Sequence, residues 1–262
     1  MAYVIAAPSA PDWVLVGHLV VGSCLALCGG SVLNQLLERD ADALMKRTAG
    51  RPLPSGRMSM GTAAGFAVVL IGAGILELAA GVNVLTAAMA ILGLFVYGAL
   101  YTPLKRRSSL ATVVGAVPGA VPVLMGWAAA RNHLDVGAWT LFTMLFLWQL
   151  PHFLAIAWMY RADYERAGFR MLPNEDPSGS STMRQVVGYC VALIPISILP
   201  AVFGWAGPWY VVGVIVLGLI YLWAGVRMAR ERSGVAAKRL LRVSVLYLPL
   251  LFVLLALDSR WP

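Results

Sequence analysis

Eight long runs of apolar residues, at about 13–33, 62–80, 83–104, 109–130, 136–159, 184–206, 208–229 and 239–257, alternate with polar connections along the chain. A helix rising 1.5 Å per residue needs about 20 apolar residues to cross roughly 30 Å of hydrocarbon, and each run is long enough. The runs carry interior Gly and Pro and lack the strict alternation of a barrel strand, so each is predicted to be a transmembrane helix. The expected fold is therefore all-α, a polytopic bundle of eight spans forming one domain over residues 1–262 in the lipid bilayer. Two connections are long, 34–61 and 160–183, while those near 81–82 and 207 are very short. Chemistry is expected where the chain spends its loop length and charge, which makes these two the expected active-site loops.

Composition agrees: of 262 residues 60% are hydrophobic and only 12% charged, far from a soluble protein. A net charge of +8 would suit nucleic acid, but its placement has another cause. Of the 20 Lys and Arg, 18 follow spans one, three, five and seven, leaving Arg131 and Arg260 for the other side. The positive-inside rule then puts both long loops in the cytoplasm and both termini outside, and no nucleic-acid partner is expected. Cys24, Cys28 and Cys190 fall inside spans, as small packing residues. Met1 is followed by no basic segment and no cleavage site, so a cleaved signal peptide is not expected.

The first long loop begins with Asn34, Glu38 and Asp42, at i, i+4 and i+8. If the segment stays helical they share one face, since each step of four advances only about 40° around the axis. Such a face suits Mg²⁺, which takes one or two carboxylates, several waters and phosphate oxygens. Arg47 and Arg51, again four apart, suit a bidentate grip on a diphosphate. The competing reading is a solvated helix end whose charges only set topology.

Three further groups carry two readings each. Tyr101 and Lys105, at the polar end of span three, fit either donation to a diphosphate leaving group or an interfacial aromatic belt with a stop-transfer cluster. His152, about two turns inside span five beside Pro151, is a functional residue or a hydrogen-bonded core histidine. Glu77, near the outer end of span two, has no evident partner and is expected to snorkel to the interface. Gly115, Pro118 and Gly119 in span four are read as permitting close helix approach.

Asn34-x-x-x-Glu38-x-x-x-Asp42, followed by Met45-x-Arg47-Thr48-x-x-Arg51-Pro52-Leu53, resembles the first aspartate-rich motif of the UbiA-type intramembrane prenyltransferases. More specific are Tyr101-Thr-Pro-Leu-Lys105-Arg106, Gly115-Ala-Val-Pro-Gly119, Pro151-His152-Phe153 and Asp163-Tyr164-x-x-Ala167-Gly168-x-x-Met171-Leu172-Pro173. In this order they resemble the protohaem IX farnesyltransferases, from about residue 13 to the C-terminus. The resemblance implies transfer of a farnesyl group from farnesyl diphosphate to the 2-vinyl group of haem B, with water addition, giving haem O. Haem is then substrate, Mg²⁺ the cofactor, and the cell inner membrane the location.

It further implies that Glu38 and Asp42 bind Mg²⁺ with Asp163 assisting and Asn34 completing the shell. Arg47, Arg51, Lys105 and Tyr101 then meet the diphosphate; the candidate ring faces to steady the allylic cation are Tyr101 and Trp148, and His152 is the candidate to contact the haem, through its iron or a propionate. Several positions depart from the pattern: Glu38 stands in place of Asp, Gln35 where an acidic residue is common, and the second loop offers Asp163 without a full Asp-x-x-x-Asp. The family resembles a nine-helix bundle with a cytoplasmic N-terminus, whereas eight spans are read here and the first helix is the one lacking. Two alternatives stay open: prenylation of a quinone precursor or other aromatic acceptor, and a transporter or haem-handling protein without chemistry. The oligomeric state is not legible.

Overall fold

The computed structural model describes residues 1–7 and 10–258, and Arg260 lies outside them. Its eight long helices are α1 (Trp13–Leu37), α2 (Met60–Gly81), α3 (Val84–Leu104), α4 (Ala111–Arg131), α5 (Val136–Met159), α6 (Ser180–Val202), α7 (Pro208–Glu231) and α8 (Gly234–Leu257). All eight are long and apolar enough to cross a membrane, and among the described residues there is no strand. Their outward faces are apolar, with Val68, Leu76 and Trp209 each at least 70% exposed, as a lipid-facing surface requires.

Polar side chains start most of these helices by accepting free backbone N–H groups: Asp12 at α1, Ser59 at α2, Asn83 at α3, Asp135 at α5 and Ser233 at α8. Asn83 also donates from Nδ2 to the Ala128 carbonyl at 2.8 Å, so the short α2–α3 turn is tied to α4. Sequential helices pack against one another from α1 to α5, and α5 then also takes α6 and α8 against its far side. In α4 and α5, 56% of the apolar stretch is buried inside the protein, against 22–33% in the other six, so these two form the centre. At the α1–α2 crossing a Cβ on Gly74 would lie 2.6 Å from the Ala26 nitrogen, so only glycine allows the backbones this close.

Several details differ from expectation. Residues Ala2–Ala6 form a short buried helix against α4, with the Arg131 Nε donating to the Ala6 carbonyl at 2.8 Å. Glu77 is not unpartnered: His18 Nδ1 lies 2.7 Å from its Oε1, a pairing across 59 residues of chain that hydropathy cannot reveal. Cys190 is buried as expected, but Cys24 and Cys28 are exposed. Helix α6 starts at Ser180, four residues before its apolar run, because Asp176 accepts the Thr182 N–H at 2.9 Å and holds a polar first turn.

Candidate active site

The first long loop does not stay one helix. Helix α1 ends at Leu37, Glu38 takes φ −108 and ψ 9, and a short helix, Arg39–Leu44, sets off from there. The bend keeps the i→i+4 pattern, with the Glu38 N–H bonded to the Asn34 carbonyl at 2.9 Å and the Asp42 N–H to that of Glu38 at 2.8 Å. Asn34, Glu38 and Asp42 therefore still line one cavity, of about 140 Å³, and all three are buried. Met45, Arg47, Thr48, Arg51, Tyr101, Lys105, Tyr164, Phe169 and Met171 complete its wall.

Each carboxylate in that cavity faces a cation. Lys105 Nζ lies 2.7 Å from Glu38 Oε1, as a charge contact rather than an aligned hydrogen bond, and Arg51 Nη1 donates to Asp42 Oδ2 at 2.7 Å. Only 1% of Asp42 is exposed, and its other oxygen, Oδ1, is buried without a hydrogen-bond partner. A buried, half-satisfied carboxylate is costly, and an added cation relieves that cost. The donor set of Glu38 and Asp42 thus fits a hard divalent cation. Asn34 is turned elsewhere: its Nδ2 donates to Thr102 Oγ1 at 3.3 Å.

Lys105 reaches Glu38 because α3 is irregular. Residues Val96–Tyr101 form a π-helical turn before Pro103, and such turns recur at functional sites. Lys105 Nζ sits 4.3 Å above the Tyr101 ring. The Tyr101 ring is seated on Gly115 of α4, where a Cβ would approach it to 2.5 Å. Gly115 therefore does more than let helices approach. The second loop closes over this arrangement, with the Arg170 N–H bonded to the Lys105 carbonyl at 2.7 Å. Arg47 crosses between the loops: its guanidinium lies 4.8 Å from the Tyr160 ring and 4.7 Å from that of Tyr164, and Nη2 donates to the Tyr164 hydroxyl at 2.7 Å.

Beyond the charged cavity lies an apolar one of about 410 Å³, walled by α1, α3, α4 and α5, with Ala26, Gly30, Gly93, Gly119, Met125 and Phe153 among its lining. Tyr101, Tyr164 and Met171 line both cavities and so form the junction between a charged head space and a greasy tail space. Tyr164 is the residue that motif reading undervalued: the second-loop motif contained it, but it was given no role of its own beside Asp163.

Three predicted residues are not brought to this place. Asp163 does not line either cavity and pairs with Arg166 on its own short helix, so the expected third carboxylate is held away from Glu38 and Asp42. Among the described residues no three acidic, His or Cys side chains form a metal cluster. Trp148 donates from Nε1 to the Ser244 carbonyl at 2.8 Å, facing α8 instead of the junction. His152 likewise faces α8, its Nδ1 2.8 Å from Ser244 Oγ, and lines neither cavity.

Comparison with known proteins agrees with this geometry. The model of the UbiA prenyltransferase family matches residues 1–254. The chain is 52% identical over 241 residues to a protein of Solibacter usitatus named protoheme IX farnesyltransferase, covering 92% of this chain and 82% of that one. It is 45% identical over 256 residues to the protein of that name from Salinibacter ruber, covering 98% and 90%. A UbiA homolog from Archaeoglobus fulgidus, solved bound to DMAPP and Mg²⁺, shares the fold with a TM-score of 0.71 over 97% of this chain and 92% of that one, at 12% identity. A two-chambered bundle that follows the family's model over residues 1–254 leaves one assignment: this multi-pass membrane chain belongs to the UbiA prenyltransferase family.

Proposed function

We propose that this chain transfers a farnesyl group from farnesyl diphosphate to the 2-vinyl group of haem B, with addition of water, giving haem O and diphosphate. The observation that carries the reading is the junction of a charged cavity of about 140 Å³ with an apolar one of about 410 Å³. That shape accepts an amphiphile with a short anionic head and a branched hydrocarbon tail. The names of the relatives at 52% and 45% identity support farnesyl as the tail and protohaem as the acceptor.

Glu38 and Asp42 would hold Mg²⁺, which when bound supplies positive charge to the leaving diphosphate oxygens. Lys105 and Arg51, which face those carboxylates, and Arg47, from its place between Tyr160 and Tyr164, would meet the diphosphate oxygens. Asn34, held by Thr102, keeps the bend at Glu38 in register, and Asp163 orders Arg166 at the rim. The C1–O bond breaks with its electron pair leaving on diphosphate, and the allylic cation forms beside the Tyr101 and Tyr164 rings. Each ring face steadies it by roughly 0.5–2 kcal/mol in so dry a site. The vinyl terminal carbon attacks C1, water adds to the new cation next to the porphyrin ring, and a proton leaves that oxygen. His152 contacts the haem. The long loops lie on the cytoplasmic face of the cell's inner membrane, following the 18 basic residues on that side.

Membranes containing the chain, supplied with farnesyl diphosphate and haem B, are expected to yield a more hydrophobic haem whose mass has gained one farnesyl and one hydroxyl. Chelation of Mg²⁺ should stop diphosphate release. A prenylated quinol with no new haem would overturn the acceptor, and diphosphate release indifferent to chelation would overturn the metal.

A further inference from the structure

We infer that Met125 sets the length of the prenyl chain this protein accepts, by closing the far end of the apolar cavity after three isoprene units; this rests on the proposed use of a prenyl diphosphate as donor. Helices α1 and α3 run toward the charged cavity, ending at Leu37 and Leu104, whereas α4 starts beside it and runs away. The lining residues farthest from the diphosphate are therefore the lowest-numbered of α1 and α3, Ser23 and Ala90, and the highest-numbered of α4, Met125. Along α3 the cavity wall runs from Tyr101 to Ala90, and along α4 from Gly115, under the Tyr101 ring, to Met125. At 1.5 Å per residue both walls are roughly 15–16 Å long. With C1 at the junction of Tyr101 and Tyr164, an extended chain of three isoprene units spans that length, and a fourth unit runs past Met125.

That end is solid. Met125 and Ala90 are buried in one packed cluster with Leu78 and Ala87, and Leu19 and Val82 pack against it. Carbons pushed into such a cluster must displace side chains that already fill it. The backbone of α4 cannot back away either. A Cβ on Gly126, the next residue, would lie 3.1 Å from the Tyr3 nitrogen of the Ala2–Ala6 helix, and Asn83 ties the α2–α3 turn to the Ala128 carbonyl. The side walls are made of residues with little or no side chain, such as Ala26, Gly30 and Gly93, and a Cβ on Gly93 would already stand 3.2 Å from Val121. Of the three residues at the far end, Ser23 and Ala90 are small. Met125 alone carries a long side chain there, so it is the one whose truncation deepens the cavity and whose enlargement shortens it.

The test supplies the purified full-length protein, in nanodiscs with haem B, with geranyl, farnesyl or geranylgeranyl diphosphate, and identifies each prenylated haem by mass. Wild type should prefer farnesyl over geranylgeranyl by at least tenfold in kcat/KM, since a single surplus methylene in a closed apolar pocket already costs about 10–200-fold. Met125→Ala should cut that preference at least tenfold. Met125→Phe, which adds bulk on the open side of the cavity and leaves the cluster behind it packed, should instead cut the preference for farnesyl over geranyl at least tenfold. The two variants push the ratio in opposite directions, which a loss of stability cannot imitate, and Met125→Phe alone decides if Met125→Ala does not accumulate. Unchanged ratios in a variant that inserts normally, beside a wild type that makes the farnesylated haem, would overturn the gauge and leave the function standing. Wild type that makes no prenylated haem from any of the three would overturn the function itself.

Discussion

Two of the polar clusters inside this bundle are built from different chemistry. Near the ends of α1 and α3, buried Glu38, Asp42 and Lys105 and half-exposed Arg51 form ion pairs against an open cavity, with Asp42 Oδ1 unsatisfied. Between α6, α7 and α8, Ser197, Tyr210 and Tyr247 are equally buried but neutral, with the Tyr210 hydroxyl donating to the Ser197 carbonyl at 2.6 Å and Ser197 3.1 Å from the Tyr247 hydroxyl. Desolvating charges is expensive, and a pair beside a void keeps an alternative partner within reach. Neutral hydroxyls that satisfy one another have no such alternative. The first cluster is built to exchange partners and the second to hold helices together.

Removing charge from the first cluster should break this contrast most strongly. Asp42→Asn is expected to insert normally in the membrane but to reduce prenyl transfer by about 10²–10³-fold, since a charge-stabilising group is lost from the site of departure. Activity within a few-fold of wild type would count directly against the metal bridge. Next in size, Lys105→Met strands the Glu38 carboxylate and should lower stability in detergent by about 3–5 kcal/mol. Adding Glu38→Gln should recover most of that stability and none of the turnover. If turnover also returned, the pair would be structural.

Smaller effects sharpen the boundary between the regions. Tyr164→Leu removes one ring face at the junction and should slow turnover by up to about 30-fold, corresponding to the loss of roughly 2 kcal/mol of cation–π stabilisation. It also frees Arg47 from its hydroxyl partner, so KM for farnesyl diphosphate read alongside kcat separates the two roles. Least of all, Tyr247→Phe should cost about 1 kcal/mol of stability with turnover unchanged. A drop in kcat there, measured in the same membranes, would make the second cluster part of the reaction.

Much of the architecture was legible in the chain. The spans could be read because a backbone in lipid must satisfy its hydrogen bonds within one segment, which makes a long apolar run a local and sufficient signal. Helix ends were harder: α6 begins in a polar turn held by Asp176, and α1 runs on to Leu37 past its apolar stretch. In the site, the i, i+4, i+8 spacing did bring Asn34, Glu38 and Asp42 to one cavity, although through a bend at Glu38 and not a straight helix. Which cation faces which carboxylate was not legible, because Lys105 and Glu38 are 67 positions apart and meet only through the π-helical turn of α3. The same limit hid the His18–Glu77 pair and made Asp163 look like a metal ligand until its neighbour Arg166 claimed it.

By itself, then, the amino-acid order determined eight spans, the concentration of charge at one membrane face, and the residue types a diphosphate site requires. Those follow from composition and short-range periodicity, which act within a single helix. Only the tertiary structure decided that Tyr101 and Tyr164 stand where the charged and apolar cavities meet, and that His152 pairs with Ser244 of α8. Such pairings depend on how helices distant in sequence pack, and side chains 92 residues apart meet only when the bundle has closed.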